Sequence, residues 1–262
     1  KIMSSPVKIA NEKIKKRIAV SVAAFFIFSA LSFTDNNGLS WQTLSKQEFS
    51  SIFKKQEKLN KDIGSYSVNV KHASYENHTA AAPHEQSEGY FHKSGSSYRS
   101  SMLGMMIIQN SKIKLVIDTG GKHIMIADPD KAFEYMDSDK LEQSLLVCDN
   151  IKSRISDNGR IYRIVYQAGS PFAAAEYTTA KSGMINKIVL FYNQFETQEK
   201  WSELSQKIKP RVEITYTDFK KNVKFEKDAF SESKYTTLRD GKYVAAGDYK
   251  NYKVFDTRFP KQ

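Results

Sequence analysis

Apolar positions divide the chain into three regimes. Ile18 to Phe33 contains no charged residue, and Lys13, Lys15, Lys16 and Arg17 crowd the positions just before it. Helical spacing follows: Phe49, Ile52, Phe53, Leu59 and Ile63 fall on one face, Lys54, Lys55, Lys58 and Lys61 occupy the rest, and Gly64 ends the run. From Ser65 the period becomes two. Tyr66, Val68 and Val70 alternate with smaller or polar residues, which predicts a half-buried strand.

The alternation continues, with interruptions, almost to the end. Residues 75–88, with Pro83 and no sustained period, predict a long hairpin loop or a bent edge. Strands are predicted at Gly89–Lys93 and Ser97–Met102, then at Met105–Ile108, Ile113–Ile117 and Ile124–Ala127. The last three are separated by turn signals at Asn110–Ser111 and Gly120–Gly121. Asp139 three residues before Glu142 forms a capping pattern for a short helix over about 139–148. A hairpin is predicted at Asp157–Gly159, another between Ala173–Thr179 and Met184–Tyr192, and a short helix over Glu196–Ile208, stopped by Pro210. Val212, Ile214 and Tyr216 mark a strong strand, and edge strands with a polar terminus are expected beyond it. The sum is one antiparallel sheet of about eight to eleven strands, covered by two or three amphipathic helices.

The first regime sets the expected topology. At 1.5 Å per residue, Ile18–Phe33 covers about 24 Å of a hydrocarbon core roughly 30 Å thick, enough for a tilted transmembrane helix. Arg17, Ile18, Phe25, Phe26, Phe28 and Phe33 are its anchor residues. The positive charges before it place residues 1–17 in the cytoplasm. Residues 34–45 then read as a linker and 46–262 as a periplasmic domain of a single-pass bacterial inner-membrane protein. A signal peptide has the same layout, so cleavage after the run is left open.

Composition narrows the chemistry. Aromatics make up 12% of the chain, with fourteen tyrosines and sixteen phenylalanines, which favours strands. The net charge of +11 suits an acidic protein partner or anionic lipid head groups. Nucleic acid is not expected, because no recognition motif accompanies the charge. Cys148 is the only cysteine, so there is no intrachain disulfide, and its apolar surroundings read as core. The spacing of His72, His78, His84, His92 and His123 matches no metal motif. No phosphate loop, dinucleotide fingerprint or GxSxG elbow occurs, and Asp118 and Asp128 read as turn residues. No catalytic residue, cofactor or metal ligand is assigned.

The order of elements carries a resemblance. A helix runs into SYSVNV, GYFHKSGSSYRS places an aromatic strand before the pair Tyr98–Arg99, and YTDFKKN is followed by Phe230. Over residues 47–230 this resembles the outer-membrane lipoprotein carrier family, LolA and LolB. The resemblance implies a fold that is mainly β with α: a half-open antiparallel β-barrel covered by short helices, here preceded by one transmembrane helix. It also implies an apolar interior for acyl chains. Tyr98, Arg99, Met102, Met105 and Ile107 become the expected cavity or lipid contacts. If Tyr98 points outward, Arg99 reaches the concave side; otherwise it lies on a solvated sheet face.

The chain departs from the family in having no cysteine just past the apolar run and a lysine- and tyrosine-rich final strand. An anchored domain cannot shuttle. The expected function is therefore a non-enzymatic interaction module, an accessory or structural subunit of a cell-envelope assembly such as a secretion or motility machine, with envelope membrane-complex proteins as partners. The alternative is a lipid- or lipoprotein-binding carrier or sensor using the half-barrel cavity. A cavity filled by its own side chains favours the first, an open one the second.

Overall fold

The computed structural model describes residues 40–61, 63–130, 143–157, 159–181, 184–193, 195–196 and 207–258. A short strand β1 (Gln42–Leu44) precedes helix α1 (Lys46–Lys61). Ser45 caps the helix: its Oγ accepts from the Glu48 backbone N–H, and the Glu48 carboxylate accepts from the Ser45 N–H at 2.7 Å. Strands β2 (Ser65–Tyr75), β3 (Glu85–Ser94), β4 (Ser97–Met102), β5 (Met105–Gln109), β6 (Lys114–Asp118) and β7 (His123–Ala127) form an antiparallel meander. A second meander follows with β8 (Cys148–Ser156), β9 (Gly159–Tyr166), β10 (Phe172–Ala180) and β11 (Ile185–Tyr192).

The two-residue strands β12 (Phe195–Glu196) and β13 (Lys207–Ile208) pair with each other, and β14 (Arg211–Lys221) closes the gap between the meanders. The remaining residues, 223–258, form a strap with two 3-10 turns, the hairpin β15 (Thr236–Arg239) and β16 (Lys242–Ala245), and a final strand β17 (Lys253–Asp256).

Among the described residues the main sheet has thirteen strands in the order β1-β8-β9-β10-β11-β14-β2-β3-β4-β5-β6-β7-β17. All its pairings are antiparallel except β17 on β7. Two glycines fix close approaches. A Cβ on Gly89 would lie 1.9 Å from the Ser101 carbonyl oxygen; one on Gly159, whose φ is +146, would lie 1.7 Å from that of Thr179.

Alternation gives the sheet two faces with different covers. On one, Val68, Val70, Phe91, Ile107, Tyr162, Ile164, Ile188 and Ile214 belong to the larger core. Helix α1 packs there, with Phe49 against Tyr162 (ring centroids 5.8 Å apart) and Phe53 against Tyr177 (5.9 Å). On the other face, β9, β10, β11 and β14 carry solvated ion pairs, Arg163–Glu176 and Lys187–Glu213. Over β5–β7 that face turns apolar, and the strap covers it. Ile108, Leu115, Ile117, Ile124 and Ile126 pack with Tyr235 into a second core. The nearly unbroken apolar runs of β5 and β6 follow from burial on both faces.

Three expectations need correction. The sheet is an open one and not a half-open barrel. Its end strands β1 and β17 stand at opposite ends of the strand order and do not pair, because the strap extends the β7 edge with a parallel strand instead of closing it. The second correction concerns the ends of two expected helices. Residues 143–146 are helical and Cys148 already begins β8, so the helix expected over 139–148 stops short of its expected end; 139–142 lies outside the described residues. The ends of the expected 196–208 helix, Glu196 and Lys207–Ile208, are in paired strands, and 197–206 lies outside the described residues.

The third correction concerns the single-pass anchor and the inner-membrane placement drawn from it. Among the described residues no helix is long and apolar enough to cross a membrane. Helix α1 is amphipathic, with Lys46, Glu48, Lys54 and Lys55 along its exposed side. The run Ile18–Phe33 with Arg17, Phe25, Phe26 and Phe28 lies outside the described residues.

Candidate functional site

The pairing registers place the expected contact residues on opposite faces. Tyr98, Met102, Met105 and Ile107 lie on the face that α1 covers, and all four are buried in the larger core. Arg99 points the other way, toward the strap. The condition set by the sequence is therefore reversed: Tyr98 is inside, 2% exposed, and Arg99 stands on the opposite surface.

The helix-covered face contains polar groups that sequence reasoning passed over. His72 is in phase with Val68 and Val70, and is 5% exposed. It pairs with Ser87 on β3 and Ile214 on β14. Neither of its ring nitrogens has a hydrogen-bond partner among the described residues, nor does the buried Ser87 Oγ. Burial pulls the His72 imidazole below its ordinary value, and Glu85 opposes this only in part. The signal was legible, since the period of two in SYSVNVKH puts His72 with the valines. Phenols share the layer. Burial pushes Tyr166 up to about 12, and pushes Tyr98 and Tyr177 further.

Around Arg99 the surface is aromatic. Its guanidinium lies 5.5 Å from the centroid of the Tyr90 ring, and its Nη2 meets Met106 Sδ at 3.9 Å. His92, its cross-strand neighbour, packs 4.6 Å from Tyr90 on one side and 5.3 Å from Phe225 of the strap on the other. Tyr235 and Tyr249 close the set from above, with ring centroids 5.0 Å apart. Burial raises the phenols of Tyr90, Tyr235 and Tyr249, and the positive charge of Arg99 holds each back in part. His92 is lowered, first by burial and then by Arg99. The strap residues carried no local signal, because Tyr235 and Tyr249 reach β3–β5 only through the tertiary fold.

The other residues singled out in the sequence have local structural roles. Asp118 Oδ1 accepts from the Gly121 N–H at 2.9 Å, bracing the β6–β7 turn, while Asp128 is exposed. His78 Nε2 lies 2.8 Å from the Tyr192 carbonyl oxygen, and His84 faces Glu76 at 3.6 Å. Cys148 is buried, and burial raises its thiol above the ordinary value. Among the described residues no three His, Cys, Asp or Glu side chains gather as a metal ion needs.

No family model matches the sequence, and no curated protein is similar to it. Solved structures show distant likenesses. An uncharacterized conserved protein from Thermus thermophilus is similar at a TM-score of 0.40 with 11% identity, over 81% of this chain and 99% of that one. A domain from Vibrio parahaemolyticus described as an outer membrane lipoprotein-sorting protein gives 0.31 and 9%, over 72% and 98%. A LolA superfamily protein from Nitrosomonas europaea gives 0.29 and 13%, over 72% and 98%.

Proposed function

We propose that this protein works by holding a partner and catalyses no reaction, as an accessory subunit of a larger assembly. One observation carries the reading. Tyr98, Met102, Met105 and Ile107 are buried in the larger core, while large apolar side chains stand exposed at the β17 end of the sheet. Leu238 is 59% exposed on the β15–β16 hairpin, and Phe255 is 39% exposed on β17 itself. No strand pairs with the far side of β17 among the described residues. An edge of this kind accepts an extended segment of another chain through backbone hydrogen bonds, with alternate side chains setting the choice. Lys122, Lys242, Lys250 and Lys253 are exposed in this part of the chain and outnumber the exposed Asp240, Asp248 and Asp256, the last of them paired with Arg258, so an acidic segment fits best.

A second reading is carriage of an apolar molecule with one polar group. The unpartnered ring nitrogens of His72 and the Ser87 hydroxyl favour it, since each buried polar atom left alone costs about 1–3 kcal/mol that a bound group would offset.

The test is the mass of the native protein and whatever leaves its host cell with it under mild detergent. A stoichiometric protein partner that Phe255→Glu releases supports the first reading. Bound lipid with no protein overturns it in favour of the second, and the chain by itself overturns both.

A further inference from the structure

We infer that Arg99, with Tyr90, Tyr235 and Tyr249, forms a binding site for a phosphate-type oxyanion at the border between the strap and the solvated part of the sheet. The inference stands apart from the β17 edge and does not rest on it.

A guanidinium presents five N–H donors in a planar fork. At Arg99 the Nε is buried with no hydrogen-bond partner, Nη2 meets a thioether, a weak acceptor, and the guanidinium's neutral hydrogen-bonding neighbour is the Tyr90 phenol. Among the described residues no carboxylate pairs with it. Arg154 stacks on Trp41 at 4.6 Å and Arg160 reaches the Ser153 hydroxyl at 3.5 Å, whereas three further half-buried arginines contrast directly with Arg99. Arg163 holds Glu176 at 2.7 Å; Arg211 holds Glu213 at 3.1 Å and donates to the carbonyl oxygens of His78 and Ala80; Arg258 holds Asp256 at 2.6 Å. Each of these is neutralised by its own chain.

The neighbours of Arg99 suit an anion and no cation. Tyr90, Tyr235 and Tyr249 bring hydroxyls that donate to oxygen, and His92 and Met106 complete the wall without negative charge. Tyr90 and Tyr249 are half-buried, as is Arg99, so the site is reachable from solvent. Partial burial lowers the screening that would weaken the charge in open water. No anion of the chain itself occupies the fork, and its planar donors match the two-oxygen contact that a phosphate accepts.

The phosphate group could belong to free phosphate or to a lipid head group, and two arms separate these sources. In the first, inorganic phosphate is titrated into the full chain by calorimetry at constant ionic strength, with chloride as the reference anion. Arg99→Met is expected to weaken binding by at least about tenfold, the loss of one charge-assisted contact. Arg99→Lys keeps the charge without the fork and falls between. Arg239→Met, on the exposed hairpin, leaves binding unchanged.

In the second arm, vesicles of phosphatidylglycerol and of phosphatidylcholine are sedimented with the protein. Arg99-dependent recovery on the first kind, reversed by inorganic phosphate, assigns the head group as the source. Phosphate binding without vesicle binding assigns the free ion. The inference is overturned if wild type, Arg99→Lys and Arg99→Met bind phosphate alike, or if none of them does. Unfolding curves of each variant identify any that fail to fold, and the comparison then rests on Arg99→Lys.

Discussion

Replacing Ile117 by alanine tests whether the strap is part of the folded core. Ile117 is the next-to-last residue of β6, on the face away from α1, between Met106 and Ile124, and is fully buried. If only solvent lay above it, the loss of three carbons would cost little. Under Tyr235 and the rest of the strap, those carbons are worth about 2.4 kcal/mol at roughly 0.8 kcal/mol each. A residual cavity of roughly 60 Å³ adds about 1.5 kcal/mol at about 24 cal/mol per Å³. Ile117→Ala should therefore destabilise the fold by about 4 kcal/mol.

Thr215 provides the comparison. It lies on the same face in β14, opposite Lys187 and Lys71, where no strap reaches. Thr215→Ala should cost under about 1 kcal/mol. Urea unfolding followed by tryptophan fluorescence gives both values from the shift in midpoint at unchanged slope. A cost below about 1.5 kcal/mol for Ile117→Ala would refute the two-sided core, because the outer face of β6 would then be wet.

Further consequences can be measured in the same way. The native fold keeps His72 neutral, so below its ordinary value of 6.5 the unfolded chain takes up a proton that the folded chain refuses. Stability present above pH 6.5 is therefore lost as the pH falls toward the lower folded value. Urea midpoints at about pH 7.5 and about pH 5.5 should show the loss, and His72→Leu should reduce it; an unchanged slope with pH in that variant would clear His72. Gly89→Ala forces a methyl onto the Ser101 carbonyl and should destabilise by about 2 kcal/mol or more, seen as a lowered midpoint. The buried Cys148 thiol, raised by burial, should react with iodoacetamide at least about tenfold more slowly in the native protein than in urea.

Local pattern made much of this legible. The helical spacing of Phe49, Ile52 and Phe53 matches α1, and the alternation of Val68 with Val70 and of Val212 with Ile214 matches the long strands at the seam. What escaped was set by partners distant in sequence. Nothing near Arg99 shows that Tyr98 faces inward, since either phase of SYRSSM buries something: Tyr98, Ser100 and Met102 against α1, or Arg99 under the strap. The strap itself read as edge strands with a polar end because the apolar residues that pack on the sheet, among them Tyr235, Tyr249 and Val254, are scattered among charged ones. They become a core only when β5–β7 supply the isoleucines. The barrel failed as an expectation for the same reason, since closure depends on which edges meet and period-two patterning is silent on that.

The seam between β2 and β14 imposes a schedule on synthesis. These strands are hydrogen-bonded from Arg211–Tyr75 to Lys221–Tyr66, and they alone join the two meanders within the sheet. Roughly 135 residues separate the end of β2 from the start of β14, a delay of roughly seven to thirty seconds at ordinary ribosome speeds. Throughout it the first meander stands with the eleven-residue edge of β2 bare. That is the longest interval in which a nascent chain could be captured by its neighbours on the polysome, and the segment from Ser65 to Tyr75 is where a chaperone would be needed most.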